Sequence, residues 1–227
     1  MEKLKWESLQ ELPVSDAELK LELKNRNAFL YKDFYRILDH GYTSQILLLI
    51  KLSVIGDSLD WDRLSWNALQ SLKDHDVPEE ILKHVLEMVS TEYYEESNDI
   101  LYKVSQEEWG KITAENGFIN KKLNGLGIQE FIARWGDLVP EEFKVDLSWL
   151  KGMSFINDEK IYYFPQSALE LDPKQRFFQL FQAKKKWSRE ELAPFLQDLG
   201  TGKGLDTLLV KWARRIKDGN LYYYVTR

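Results

Sequence analysis

Two hydrophobic periods alternate along this chain. Short runs rich in aromatic and β-branched residues recur at Phe34-Tyr35-Arg36-Ile37-Leu38, Ile100-Leu101-Tyr102-Lys103-Val104, Ile161-Tyr162-Tyr163-Phe164 and Leu221-Tyr222-Tyr223-Tyr224-Val225. Each follows turn-forming residues: Lys32-Asp33, Ser97-Asn98-Asp99, Asn157-Asp158-Glu159-Lys160 and Asp218-Gly219-Asn220. Partner strands precede three of the turns, most clearly Ala28-Phe29-Leu30 and Met153-Ser154-Phe155-Ile156. Asp-Gly between β-formers is a strong hairpin signal, because both loop positions of a type I′ turn need positive φ. From Leu38 to Val104 is 66 residues, and from Val104 to Phe164 and from Phe164 to Tyr224 are 60 each. The pattern predicts four hairpins at near-constant spacing.

Between the hairpins the period becomes helical. Residues 15–24 read as a helix before the first hairpin, and 42–54, 64–72 and 78–89 as three helices before the second. Ser105 and Glu108 have the spacing of a capping box, in which each side chain satisfies the other's backbone N–H. Trp109, Ile112 and Thr113 follow at helical spacing, with Gly117 placed to cap the end. Residues 128–135 form the next helix, with a shorter one near 147–150. Asp172-Pro173 opens a helix bearing Phe177, Phe178, Leu180 and Phe181. Ser188 and Glu191 form a second capping box at the start of 192–199, residues 200–204 make a loop, and 205–215 is the last helix.

Three helices followed by a hairpin is the winged-helix order. The fold expected is therefore α+β and mainly helical, with tandem winged-helix domains at 41–104, 105–165 and 166–227 and a partial unit at 1–40. The partial unit lacks a first helix, as expected if the chain begins inside a longer protein. Units of about 60 residues barely bury an adequate core alone, so neighbours should pack together. The competing expectation is an ordinary α+β domain whose strands join one sheet.

Composition narrows the chemistry. Eight Trp, eleven Tyr and eleven Phe supply ample material for burial. The chain has no cysteine, so a disulfide framework, a thiol nucleophile and a Cys-based zinc site are excluded. The longest apolar run, around 46–50, is broken by Lys51 and Ser53, and Glu2-Lys3-Leu4-Lys5-Trp6 is no signal region; a soluble, non-secreted, membrane-free protein is expected. His40, His75 and His84 stand in no metal-binding frame and read as surface or helix-end residues. Gly200-Thr201-Gly202-Lys203-Gly204 lacks phosphate-loop spacing and follows a helix, while Glu92, Glu95 and Glu96 read as a solvated hairpin tip. No enzyme and no cofactor are expected.

Net charge is −6 but unevenly spread. Residues 166–227 carry 12 Lys and Arg against 7 Asp and Glu, whereas the preceding 165 residues carry 19 against 30. Phosphate binding depends on local cations, so a basic end on an acidic body permits a local DNA site. The candidates are Lys211, Arg214, Arg215, Lys217 and Arg227. On a helix, Lys211 and Arg215 would lie one turn apart with Arg214 at the edge, on the element that enters the major groove in many winged helices. A plainer reading competes, in which cations at a helix C-terminus offset its dipole, and spacing alone leans slightly that way. Lys184-Lys185-Lys186 reads as a solvated helix end.

Leu171-Asp172-Pro173-Lys174-Gln175-Arg176-Phe177, Leu180-Phe181, Lys186-Trp187, Lys211-Trp212-Ala213-Arg214-Arg215 and Val225-Thr226-Arg227 together resemble the C-terminal region of the sister chromatid cohesion protein DCC family. Phe34-Tyr35-Arg36-Ile37-Leu38-Asp39, and Phe131, Trp135, Val139-Pro140-Glu141, Leu147 and Leu150-Lys151-Gly152, are similar to its other segments. The resemblance implies a nuclear, non-catalytic subunit of an alternative sliding-clamp loader in DNA replication. Its partners would be the loader's large ATPase subunit and small subunit, joined through a β-rich half expected to be absent here, and the sliding clamp indirectly. It also implies winged helices that bind DNA and dock on the catalytic subunit of DNA polymerase epsilon. Basic family positions fall on Lys211, Arg214 and Arg227, with Trp212 where some relatives have Tyr, and they tilt the cluster toward DNA. The alternative is a purely protein-binding winged-helix scaffold.

Overall fold

The computed structural model describes residues 15–69, 72, 76–96 and 98–227. These divide into two compact units, one holding the residues up to 116 with 136–145, the other 117–135 with 146–227. The architecture is α+β and mainly helical. Among the described residues the strands form four separate antiparallel sheets, which sets aside the single-sheet alternative.

Within the described residues the first unit begins with α1 (Asp16–Asn25), at whose start the Glu18 carboxylate accepts from the Ser15 N–H and the Ser15 hydroxyl accepts from the Glu18 N–H. A hairpin follows, β1 (Ala28–Tyr31) with β2 (Phe34–Ile37). Helix α2 (His40–Gly56) begins where the Asp39 side chain accepts from the N–H groups of Gly41 and Tyr42. Its inner face buries Ile46, Leu47, Ile50 and Val54 against Leu82, Val85 and Leu86 of α3 (Glu79–Met88). Strands β4 (Ser90–Glu96) and β5 (Asp99–Val104) close this core with Tyr102 and Val104. The core is completed by Trp109 at the start of α4 (Gln106–Ile119), and by Val139 and Phe143.

The second unit holds most of α5 (Ile128–Gly136), a 3-10 turn at Leu147–Leu150, and the hairpin β6 (Ser154–Asn157) with β7 (Lys160–Tyr163). Then come α6 (Pro173–Ala183), α7 (Arg189–Leu196), α8 (Lys203–Trp212) and the hairpin β8 (Ala213–Asp218) with β9 (Leu221–Thr226). Asp172 caps α6 at the Gln175 N–H, with Pro173 in the first turn where its missing N–H costs nothing. Ser188 and Glu191 form the expected reciprocal box on α7. The core gathers Phe177, Leu180, Trp187, Leu192, Phe195, Leu196, Leu205 and Leu209.

A third paired segment, one or two residues long and too short to read from sequence, recurs beside three of the hairpins. Leu64-Ser65 (β3) pairs with Tyr102 and Leu101 of β5, Gly127 bridges Lys160 of β7, and Trp187 bridges Tyr224 of β9. Each time the extra segment joins the outer edge of the second hairpin strand. This corrects the helix expected over 64–72: its first two residues are strand, and Gln70 and Ser71 lie outside the described residues.

The hairpin loops obey the turn chemistry with one shift. Lys32 and Asp33, and Asp158 and Glu159, all adopt positive φ, as a two-residue type I′ loop demands. In the last hairpin Asp218 stays in the ladder opposite Leu221, so the loop is Gly219-Asn220, and only its first residue, Gly219, adopts positive φ, as a type II′ loop asks.

Two caps differ from expectation. Glu108 N–H donates to the Ser105 hydroxyl at 3.2 Å, but the Ser105 N–H is taken by the Val89 carbonyl at 2.7 Å, so only half a box forms there. The Glu108 carboxylate pairs with Lys111 instead. Gly117 is not a cap but an interior residue of α4 against which Leu123 packs. A Cβ at Gly117 would lie 2.4 Å from Leu123 Cδ1 and 2.7 Å from its Cγ. Gly→Ala inside a helix ordinarily gains about 1 kcal/mol. Here Gly117→Ala is expected to cost about 1–3 kcal/mol through overpacking, measured by urea denaturation; a stabilised variant would contradict the close approach.

Candidate nucleic-acid interface

The basic cluster is built on a helix–strand junction, not on one helix. Helix α8 buries Leu205 and Leu209, and its last turn carries exposed Lys211 with Nζ 5.0 Å from the Trp212 ring centre. The helix then stops. Ala213 is extended (φ −130°, ψ 157°) and buried, and from it the chain runs as β8. The expected helical face shared by Lys211 and Arg215 therefore does not exist. Pairing of six β8 residues with the aromatic run of β9, fixed in register by the Gly219 loop, outweighs local helix propensity at Arg214-Arg215.

Strand alternation now sorts the side chains. One face of the hairpin carries Ala213, Arg215, Lys217, Tyr222, Tyr224 and Thr226; the other carries Arg214, Ile216, Asp218, Leu221, Tyr223 and Val225. The Arg215 guanidinium lies 4.6 Å from the Tyr222 ring centre. On the opposite face Lys186 pairs with Asp218 and sits 4.4 Å over Tyr223. Lys184 likewise pairs with Glu191 and lies over Trp187. Only Lys185 of that lysine triplet is exposed, so the triplet is not the solvated helix end that was expected.

All five candidates are exposed, and among the described residues none forms an ion pair with a carboxylate. Arg227 does have work: its Nη1 donates to the carbonyls of Val210 and Lys211 at 3.2 and 2.8 Å. These carbonyls lie in the last turn of α8, where no helical partner remains, so Arg227 fills the dipole-offsetting role. Lys211, Arg214, Arg215 and Lys217 remain facing solvent.

The other sequence candidates disperse. His40 Nδ1 is 2.8 Å from Asn116 Oδ1 at the start of α2. His84 stacks on Phe29 at 4.3 Å, and burial lowers its pKa despite a hydrogen bond to the Asn27 carbonyl. His75 lies outside the described residues. Residues 200–202 lead into α8 as a loop, with Gly202 at φ 52°. Glu92, Glu95 and Glu96 line the exposed strand β4, where Glu96 pairs with Arg63 at 2.5 Å.

The role of one residue was not legible from the residue pattern. Arg176, with 1% of its side chain exposed, donates to the carbonyls of Glu170, Phe195 and Leu169 and to the Asp198 carboxylate. It ties the entry of α6 to the end of α7. Only its place within the Leu171–Phe177 stretch that carries the resemblance singled it out.

A family model described as sister chromatid cohesion protein Dcc1 matches residues 2–196, most of the chain. The chain belongs to the Dcc1 sister chromatid cohesion family. The mouse sister chromatid cohesion protein DCC1 is 28% identical over 227 residues, covering 96% of this chain and 55% of the mouse protein. The human protein is 26% identical, with 96% and 56% covered, and the budding-yeast protein 27% identical over 198 residues, with 81% and 51% covered. The chain thus spans about half the length of these Dcc1 relatives. The Dcc1 model's match stops before α8, so membership rests on the two units without their basic end.

Proposed function

We propose that the chain is a non-catalytic, nuclear part of an alternative sliding-clamp loader, in which tandem winged helices bind DNA and dock on the catalytic subunit of DNA polymerase epsilon. ATP hydrolysis belongs in this reading to the loader's large subunit, and the sliding clamp is reached through it. Family membership supports the link to chromatid cohesion. The winged-helix reading is supported by a recurring order in which a helix, a one- or two-residue segment paired to the outer edge of the second hairpin strand, a further helix and the hairpin follow one another.

The observation that carries DNA binding is the set of four cations, Lys211, Arg214, Arg215 and Lys217, left without carboxylates while neighbouring Lys184, Lys186, Arg176 and Arg189 each have one. Most of them stand on the wing, so the contacts expected are to phosphate and insensitive to sequence. Lys211→Ala with Arg214→Ala is expected to weaken duplex binding about tenfold near physiological salt, read by fluorescence anisotropy. Unchanged affinity in the folded variant would remove the site.

A protein-binding scaffold is favoured by a different feature. Leu48, Leu52 and Ile55, at 54%, 57% and 50% exposure, form an apolar stripe on the outer face of α2. A helix apolar all round is ordinarily covered on every side. In this reading Leu48→Glu with Leu52→Glu abolishes capture by the polymerase catalytic subunit in nuclease-treated extracts while the variant stays folded. Retained capture would sink it.

A further inference from the structure

The last hairpin carries three consecutive tyrosines, and the fold gives each a different surrounding. Tyr224 exchanges backbone hydrogen bonds with Trp187 and packs on the core. Tyr223 lies on the opposite face beneath Lys186. Tyr222 alone projects outward, 52% exposed, with the Arg215 guanidinium against its ring and Lys217 directly opposite in the ladder. The face these residues share holds no carboxylate; the one acidic residue of the two strands, Asp218, is on the other face and is neutralised by Lys186.

Resting on the DNA-binding reading above, we infer that Tyr222 and Arg215 form a stacking platform for an unpaired base, with Lys217 holding the adjoining phosphate. The face is cationic and aromatic, which suits a polyanion bearing planar groups. Paired bases bury their flat faces in the helical stack and offer a wing only edges and phosphates. An unpaired base offers a flat face that can extend the Arg215–Tyr222 stack, and aromatic rings bind such bases with little regard to sequence. The ligand is therefore single-stranded DNA, or the unpaired segment beside a duplex end. The cations alone would bind duplex through phosphates; Tyr222 adds the preference for unpaired bases.

Anisotropy of the whole chain on a labelled single strand and on the matching blunt duplex tests this. Tyr222→Ala is expected to weaken the single strand about tenfold while changing duplex affinity little, and Tyr222→Phe restores wild-type binding. Fluorescence of 2-aminopurine in the strand is quenched by the wild type and not by Tyr222→Ala. Equal losses on both ligands, or no loss on either, overturn the platform while leaving DNA binding in place. A wild type that binds neither ligand overturns both.

Discussion

Replacing Arg176 by methionine lowers the stability of the second unit by about 3–5 kcal/mol, measured by urea denaturation at neutral pH. Methionine fills similar space but donates nothing, so three carbonyls and one carboxylate lose their donor at once. Each buried acceptor left unmet costs roughly 1–3 kcal/mol. The effect also depends on pH. Burial pushes the Asp198 carboxyl upward, but the hydrogen bonds from Arg176 and Gln166 and the charge of Arg176 together outweigh it, and the net pKa lies below the ordinary value. A carboxyl whose folded pKa is depressed contributes stability above its unfolded pKa, near 4, and loses it as pH falls through the folded value. Wild-type stability therefore drops on acidification through this range, and Arg176→Met shows a shallower drop. A loss below about 1 kcal/mol at neutral pH would contradict the clamp, because an isolated surface pair is worth no more than that.

Trp109→Ala is expected to cost a similar amount, about 3–5 kcal/mol, but in the first unit. By sequence Trp109 opens the second helical repeat, just past the Ser105 cap. Its fully buried ring nevertheless lies edge-on to Trp61 at 5.4 Å and to Phe143 at 6.2 Å, inside the first core. Removing so large a side chain leaves a cavity that its neighbours cannot close. Scanning calorimetry should show the loss in the transition of the unit that contains α2 and α3. A shift confined to the other unit would contradict the packing.

The contrast between these residues shows what the chain discloses unaided. The hairpins were legible because aromatic and β-branched runs flank residues that tolerate positive φ, as at Lys32-Asp33 and Asp158-Glu159. The Asp172-Pro173 start and the Ser188 box were legible because capping is local. Leu64-Ser65 and the bridge at Trp187 were not, since one or two paired residues leave no periodic trace and their partners are more than 30 positions away. Trp109 follows the helical period whichever core receives it. Arg176 reads as one charge among several until three carbonyls converge on it. At the candidate site the identity of the cations was visible, but their geometry was not. Local spacing made Arg214 and Arg215 helical, whereas ladder pairing with Val225 and Tyr224 places them on opposite faces of a wing.

The most direct test of a DNA-binding wing is the salt dependence of duplex affinity, compared between the wild type and the folded triple variant Arg214→Ala, Arg215→Ala, Lys217→Ala. Each phosphate contact releases counterions worth about 0.9 in the slope of log affinity against log salt. The account predicts a slope shallower by roughly 2.7 in the variant. Identical slopes in the two proteins would mean that the wing's cations do no more than face water.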